Sequence, residues 1–559
     1  MSTNISKLKR DDLLDKINQI HTYIANAPQD ENTGKLLTYL SELEKDVNGK
    51  KYGLVFEEHR EKIDETLEDN TPVLTEEKEL FINNGGEMNF LIEGDNLASL
   101  KLLEKTHRGS IDLIYIDPPY NTGSDDFIYN DSFVDATDGF KHSKWISFLK
   151  VRLEIAYNLL TNDGFIMISI NDRELYSLKL LCDSIFGESN FLANMIWQST
   201  PGSNTGLDIK TVTEYVLCYA KKKSICATSS KPVTDDSKYK YQDEFVNFRG
   251  KYVLNKLDRR MTGQHYSESL NYKITMPDGQ ALYPGSNIEQ QPNWNWRWSK
   301  EKVKWGIENE FIVFKKTKGK WAVYFKQYFK VDNNGVPIER ALPYQNLIKD
   351  VEGTNSARGT QEIMQIFDSK SFDYPKPLNL ISYLLNIHAN KNATILDFFA
   401  GSGTTGHAVL KLNTENGGNR KFILCTNNEN NICRDVTYER IKRVIEKEEY
   451  NASLKYYKVD YVPISDRMYY EYADELLDHI RALVELENGV NFTSNKEIAI
   501  VLTEEELDQF IDDIDNFSAC KKIYMGHDIL MDAAQEQKLK DNKIVVNIIP
   551  DYYYKELEG

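Results

Sequence analysis

The spacing of apolar positions changes several times along this chain, and each change predicts an element. From Ser6 to Leu67 apolar residues recur at helical intervals among charged ones, as in LLDKINQIHTYI and LLTYLSELEKDV, which predicts helices. The run NFLI (Asn89–Ile92) predicts a short buried strand, Glu93 to Asn96 a turn, and LASLKLLE (Leu97–Glu104) a helix. IDLIYI (Ile111–Ile116) predicts a second strand, His142–Leu160 a long amphipathic helix, and Asp163–Ile170 a third strand. Glu174–Gly187 then reads as a helix and Glu214–Lys222 as a strand. Strand and helix alternate throughout. The expected fold class is therefore α/β, a doubly wound and mostly parallel sheet covered on both faces, with helical and α+β terminal segments.

The alternation breaks near Lys221. From there to about Ser369 the chain is rich in Trp, Tyr and turn residues, with short strands such as FIVFKK and KWAVYFKQYFKV. That shift predicts an inserted domain. The α/β pattern resumes with PLNLISYLLNI as a helix, NATILDFFAGSGTTGHAVLKLN as strand, turn and helix, and RKFILCTNNE as a strand. A last α/β segment starts near Asp460, with strands in KEIAIVLT and KIVVNIIPD. The expected organisation is a helical segment over 1–70, two halves of one α/β domain over 71–220 and 370–458, an insert over 221–369, and a C-terminal domain over 459–559.

Composition narrows the setting. None of the 559 residues falls in an unbroken apolar run of the ~18 that a membrane span needs. The opening MSTNISKLKRDD lacks the apolar core of a secretory signal. The six cysteines are scattered and form no CxxC pair, so a reducing cytoplasm is expected, with neither a disulfide framework nor a metal cluster. The net charge of -18 argues at first against a nucleic-acid partner. The distribution reverses that argument. Residues 221–350 hold 24 Lys+Arg against 14 Asp+Glu, a net of +10, which leaves -28 for the rest. A basic region in an acidic chain is either a phosphate-binding face or an ordinary solvated one.

Two stretches carry candidate chemistry. In IDLIYIDPPYNTG an apolar strand stops on Asp117, Pro118, Pro119 and Tyr120. A plain turn accounts for the prolines but for neither the acid nor the aromatic. Proline fixes its own φ and restricts the residue before it, so Asp117 and the Pro118 carbonyl are held in place. The carboxyl end of a strand is also where a doubly wound sheet presents its ligands. In ILDFFAGSGTTGHAVL, Gly401, Gly403 and Gly406 match G-x-G-x-x-G between a strand and a helix. The pattern alone fits a ligand-free turn, a dinucleotide site or a site for S-adenosylmethionine. A dinucleotide enzyme places an acid ~20 residues further on, and the strand Lys421–Thr426 found there has none. S-adenosylmethionine lacks a pyrophosphate, and an acid before the glycines, here Asp397, can receive its ammonium group.

Asp117-Pro118-Pro119-Tyr120 followed downstream by Phe398-Phe399-Ala400-Gly401-Ser402-Gly403 resembles the amino methyltransferases of DNA, in the motif order of the beta class. KKYGLVFE, LIEGDNLASLKLL, YIDPPYNTGSDDFIYNDSF, WRWSKEKVKWGIEN, FDYPKPLNLI and TNNENNICRDVTYERI extend the likeness over most of 50–444. They resemble most the modification subunit of type III restriction-modification systems. The resemblance implies methyl transfer from S-adenosylmethionine to adenine N6 in double-stranded DNA, with S-adenosylhomocysteine as product. Asp117 and the Pro118 carbonyl would accept the two hydrogens of the target amine, with Pro119 stiffening the turn, and Tyr120 would stack on the extruded base. No cysteine nucleophile is expected.

The cofactor would be held by Gly94, Asp95, Asn121, Thr122, Tyr374, Lys376, Asp397, Phe398, Phe399, Ala400, Gly401, Ser402, Gly403, Thr404 and Glu429. By the same likeness Gly94 and Asp95 end the strand beside the one bearing Asp117, and Asp95 meets the cofactor's adenine. An Asp there also suits a helix cap. Phe372–Pro377 resembles a segment closing over the methionine part, and also reads as an ordinary loop. Many relatives carry an acid for the ribose after the glycine-loop strand. This chain has Thr426-Asn427-Asn428-Glu429, where an Asn or Glu429 would serve.

The basic insert would read DNA, with Arg259, Arg260, Gln264 and Arg297 as candidates, while Trp294, Trp296 and Trp298 alternate as a strand's core face. A homodimer is implied. Without a G-x-x-x-x-G-K-[ST] loop, cleavage would fall to a separate ATP-dependent restriction subunit. Other readings are a cytosine-N4 or stand-alone adenine methyltransferase, an RNA methyltransferase, a non-enzymatic DNA-binding subunit and a nicotinamide oxidoreductase.

Overall fold

The computed structural model describes residues 5–26, 31–48, 56–123, 128–129, 132–133, 138–202, 209–233, 235–261, 263–349, 351–464, 479–491, 496–526 and 529–549. The stretches Lys50–Val55 and Ser124–Phe127 of the resemblance lie outside the described residues. Two compact units emerge. One comprises Met1–Cys226, Leu347–Leu385 and Asn390–Gly559, the other Ala227–Asn346 with Asn386–Ala389.

The first unit is built on a ten-stranded sheet. Its strands in chain order are β1 (Asn70–Glu76), β2 (Glu87–Glu93), β3 (Ile111–Ile116), β4 (Leu160–Ile170), β5 (Phe191–Gln198), β6 (Thr213–Ala220), β7 (Leu347–Ile348), β8 (Thr394–Asp397), β9 (Lys421–Thr426) and β10 (Ala452–Pro463). Their spatial order is β1-β10-β2-β9-β8-β3-β4-β6-β5-β7. From β10 to β4 every pairing is parallel. The edge strand β1 is antiparallel to β10, and β6 is antiparallel to both of its neighbours. The expected mostly parallel α/β sheet is therefore what this chain forms.

Burial explains why the central strands read as continuous apolar runs. Ile111, Leu113, Ile114 and Ile116 of β3 are fully buried, as are Ile395 and Leu396 of β8. A parallel strand covered on both faces has no solvent side to alternate with. The covering helices bury their own stripes: Leu97, Leu100 and Leu103 from Asn96–His107, and Trp145, Leu149 and Leu153 from Lys141–Leu159.

The sequence pattern did not signal β5. Apolar residues of FLANMIWQ fall on both faces although only Met195 and Trp197 are buried, so the sequence shows no alternation of period two. The strand forms because it pairs along β6 near the sheet edge. The expected helix at Glu174–Gly187 is α-helical over Leu175–Cys182 and widens into a π-turn over Asp183–Gly187.

Boundaries shift as well. The divisions expected at 70/71 and 458/459 fall inside β1 and β10, which pair with each other in the main sheet. The insert expected to end at 369 ends at Asn346, because β7 pairs with β5 and the helix Ser356–Phe367 belongs to the first unit. Near the C-terminus a small parallel sheet joins Ile498–Val501, Lys522–Met525 and Val545–Ile548 in that order.

The second unit holds a three-stranded antiparallel sheet, with Lys320–Tyr328 between Tyr252–Lys256 and Ile312–Thr317. Trp296 and Trp298 are buried in its core and Trp294 is half-buried, so the alternating tryptophans are packing residues. Lys318 and Gly319 take positive φ at the tip of the hairpin between Thr317 and Lys320, the conformation a tight two-residue turn requires.

Candidate active site

Two adjacent parallel strands bring the two chemical stretches together. Leu113 and Ile114 of β3 lie in register with Ile395 and Leu396 of β8, so Asp117 and the loop after Asp397 leave the same edge of the sheet side by side. The chain separates them by 280 residues, and only sheet pairing makes them neighbours. The strand β2, whose end carries Gly94 and Asp95, does not adjoin β3 as expected. Both β8 and β9 are inserted between them. The link is instead Asn96, whose Nδ2 donates to the Phe398 carbonyl at 3.3 Å.

The turn after β3 is anchored from several sides. The indole Nε1 of Trp145 donates to the Pro119 carbonyl at 2.7 Å. Asn121, at φ +55°, donates to Glu174 Oε1 at 2.6 Å and to the Lys141 carbonyl at 3.3 Å. Arg173 donates to the Thr122 carbonyl. Asn121 and Thr122 thus serve the turn's own framework.

Four side chains, Asp117, Tyr120, Glu214 and Lys376, converge after β3. Lys376 Nζ lies 2.9 Å from Asp117 Oδ2 and 3.6 Å from Glu214 Oε2. The Tyr120 hydroxyl donates to the same Glu214 oxygen at 3.1 Å, and the lysine ammonium lies 4.8 Å from the centre of the tyrosine ring. Burial pulls the Lys376 ammonium down, but the two carboxylates outweigh it and hold its pKa above the usual lysine value. Burial, then Asp117 and Glu214, push the Tyr120 phenol well above its ordinary value, so it stays a neutral donor. Asp117 Oδ1 is buried and has no hydrogen-bond partner among the described residues. Glu214 was not foreseen. Its only signal was an acid at the start of an apolar strand, the opposite end from the one that Asp117 marks on its own strand.

The glycine loop is shaped by its left-handed glycines and by the helical segment behind it, Ile432–Tyr438 continuing into Glu439–Lys447. Gly401 and Gly403 have φ of +49° and +74°, which L side chains rarely adopt. Arg440, fully buried, donates to Thr404 Oγ1 at 2.7 Å and to Ser402 Oγ at 3.3 Å. Thr437 Oγ1 donates to the Gly401 carbonyl at 2.6 Å. Asp397 faces inward: its carboxylate accepts from Thr405 Oγ1 at 2.5 Å and from the Phe399 N–H at 3.0 Å. Burial pushes that carboxyl up to about 7. Phe398 is fully buried in the core, and Phe399 packs 5.8 Å from Phe148. Ala400 donates its N–H to the Cys425 carbonyl, which ties the loop to β9.

Other expected cofactor residues are placed differently. Asp95 caps the helix Asn96–His107, accepting from the Leu97 N–H at 2.7 Å, and lies 3.8 Å from Arg152. Gly94 is a site of close approach, since a Cβ there would come within 2.6 Å of Val459. Tyr374 is 85% exposed with φ +57°, and Glu429 is exposed. The helix Thr404–Asn416 has no side-chain cap at its N-terminus, so its first N–H groups suit an anionic group such as a cofactor carboxylate.

A parallel sheet with an Asp-Pro-Pro-Tyr turn beside a glycine loop defines a methyltransferase-type α/β protein. The profile of the N6/N4 DNA methylase family matches residues 111–438, more than half of the chain, and the chain belongs to that family. The Mod subunit of the type III restriction-modification enzyme StyLTI from Salmonella typhimurium is 32% identical over 402 residues. That match covers 65% of this chain and 56% of the subunit, so the chain spans little more than half of that relative's length. The type II methyltransferase M.KpnI from Klebsiella pneumoniae is 36% identical over 351 residues, covering 60% of this chain and 79% of that protein. Among solved structures, TTHA0409 of Thermus thermophilus, complexed with S-adenosyl-L-methionine, matches at 15% identity with a TM-score of 0.32. It covers 66% of this chain and 99% of its own, and a likeness at that level says nothing by itself about activity.

Proposed function

We propose that this chain is a site-specific DNA methyltransferase that methylates adenine N6 in double-stranded DNA, and that it is the modification and specificity subunit of a type III system. The observation that carries the proposal is Asp117 Oδ1, a buried acceptor without a donor among the described residues, at the end of the strand next to the one that leads into the glycine loop. S-adenosylmethionine, when bound, supplies a methyl group on a positively charged sulfur and leaves as S-adenosylhomocysteine.

The remaining work belongs to the chain. An adenine amine is a poor nucleophile because its lone pair is delocalised into the ring. Asp117 Oδ1 and the Pro118 carbonyl accept its two hydrogens, draw the nitrogen toward tetrahedral geometry and free that lone pair. Tyr120 gives the extruded base a face to stack on. Gly401, Gly403 and the uncapped helix after them hold the cofactor, with Ser402 and Thr404 braced by Arg440. The unit Ala227–Asn346 holds 20 Lys+Arg against 13 Asp+Glu, and it supplies phosphate contacts and base readout.

Partners follow from the same reading. The N-terminal helices Ile5–Ala25 and Glu31–Asn48 expose Leu13, Ile20, Tyr23, Leu36 and Tyr39, which supports a homodimer contact. A restriction subunit would supply ATP-dependent cleavage, and the complex would work in the cytoplasm. No described helix is long and apolar enough to cross a membrane.

Single-molecule sequencing of DNA from a host expressing this chain tests the reading. N6-methyladenine at one sequence motif is the expected outcome. N4-methylcytosine would reassign the base, and unmodified DNA from a host making folded, cofactor-binding protein would sink the proposal.

A further inference from the structure

Glu214 and Tyr120 are 94 residues apart in sequence, yet they share a hydrogen bond that ends on the same carboxylate oxygen Lys376 approaches. Lys376 in turn takes Asp117 by Oδ2 and leaves Oδ1 buried and without a donor among the described residues. The lysine's own backbone is tied down as well. It lies between Pro375 and Pro377, and its carbonyl accepts from Thr404 Oγ1 at 3.3 Å, the hydroxyl that Arg440 also holds. One connected set of bonds therefore runs from the stacking ring, through Glu214 and Lys376, to the acceptor, and from Lys376 to the glycine loop.

We propose that Lys376 and Glu214 are positioning residues. Lys376 fixes one oxygen of Asp117 so that the other is presented to the target amine, and Glu214 fixes both Lys376 and the Tyr120 hydroxyl. The proposal rests on the methyltransferase reading and departs from the expectation that Lys376 binds cofactor. A carboxylate rotates freely about its last bond unless one oxygen is tethered. A strong charge-assisted bond to a buried ammonium is such a tether. Two carboxylates against one ammonium also leave the cluster with one negative charge, the sign that favours positive charge developing on an amine nitrogen.

The test uses the full chain, tritiated S-adenosylmethionine and unmethylated genomic DNA under single-turnover conditions, with calorimetry of cofactor binding beside it. Lys376→Met should slow methyl transfer about a hundredfold, the scale expected when a reacting group is misplaced by an ångström, while cofactor affinity stays at the wild-type value. Lys376→Arg should recover most of the rate. Glu214→Gln should fall between, since glutamine still accepts from Tyr120 but no longer attracts the ammonium. Undiminished transfer by Lys376→Met overturns the proposal. So does a loss of cofactor affinity that matches the loss of rate, which would return Lys376 to the cofactor.

A second measurement is independent of the reaction. In a double-mutant cycle of thermal unfolding midpoints, Asp117→Asn should restore part of what Lys376→Met removes, because the unpaired carboxylate is then gone. Additive midpoints overturn the tether. Should wild-type protein leave DNA unlabelled, the methyltransferase reading fails while this cycle still decides the pairing.

Discussion

At 2% exposure the Asp397 carboxyl has lost nearly all of its water, which is why it titrates near 7 despite donors from Thr405 and Phe399. Its folded pKa lies above its unfolded one, so its favourable contribution is full below about pH 4 and is lost as the pH rises through about 7. Asp397→Asn removes that titration. Relative to wild type, the variant should gain stability between about pH 4 and about pH 8, by up to roughly 4 kcal/mol at ~1.36 kcal/mol per unit. Chemical denaturation at the two pH values measures it, and a difference independent of pH would mean the carboxyl is not buried as described. A second residue-scale prediction concerns Asp117→Ala. It should abolish methyl transfer and leave cofactor binding intact, because in the proposed reaction Asp117 addresses the target amine. If calorimetry shows affinity collapsing along with turnover, the residue has been misassigned.

At the scale of the element, the glycine loop tests how far backbone shape governs the site. Gly403 holds φ +74°, and a Cβ there would lie 3.3 Å from Thr437. Gly403→Asp should cost roughly 1–2 kcal/mol for the left-handed backbone and place a negative charge at the uncapped start of the helix Thr404–Asn416. Cofactor binding should vanish while circular dichroism reports a folded chain. Unchanged affinity would reduce the loop to a structural turn. The loop's sequence pattern was readable because positive φ and close approach select glycine. Its buttress was not, because nothing in the spacing of Ile432–Lys447 says that Thr437 and Arg440 turn toward a loop more than thirty residues earlier.

For the whole molecule, acidic and basic regions divide the work. The first unit carries most of the negative charge, while the exposed hairpin tip of the second presents Lys316, Lys318 and Lys320. DNA affinity should fall steeply with salt, with a log-log slope of about -0.9 per phosphate contact. Replacing Lys315, Lys316, Lys318 and Lys320 by Gln should flatten the slope and leave cofactor affinity unchanged, as filter binding over a salt series would reveal. Lys316 already pairs with Asp278 at 2.9 Å, so it should contribute least of the four. Exchanging Ala227–Asn346 for the matching unit of a relative should change the motif methylated and keep the chemistry. A chimera that still marks the original motif would falsify the assignment of specificity to this unit.

Local physics made much of this protein legible without coordinates. Largely apolar runs announced β3, β8 and β9, because strands covered on both faces have no solvent side on which polar residues could alternate. Prolines and glycines announced the acceptor turn and the loop, because each restricts or frees the backbone regardless of its surroundings. The weakly patterned strand β5, the order that sets β8 and β9 between β2 and β3, and the ends of the second unit needed the tertiary structure. So did the cluster of Tyr120, Glu214, Lys376 and Asp117. These depend on which distant strands pair and on which charges are buried together. Sequence spacing carries neither, since the free energy of a buried ion pair belongs to its surroundings and not to the residues alone.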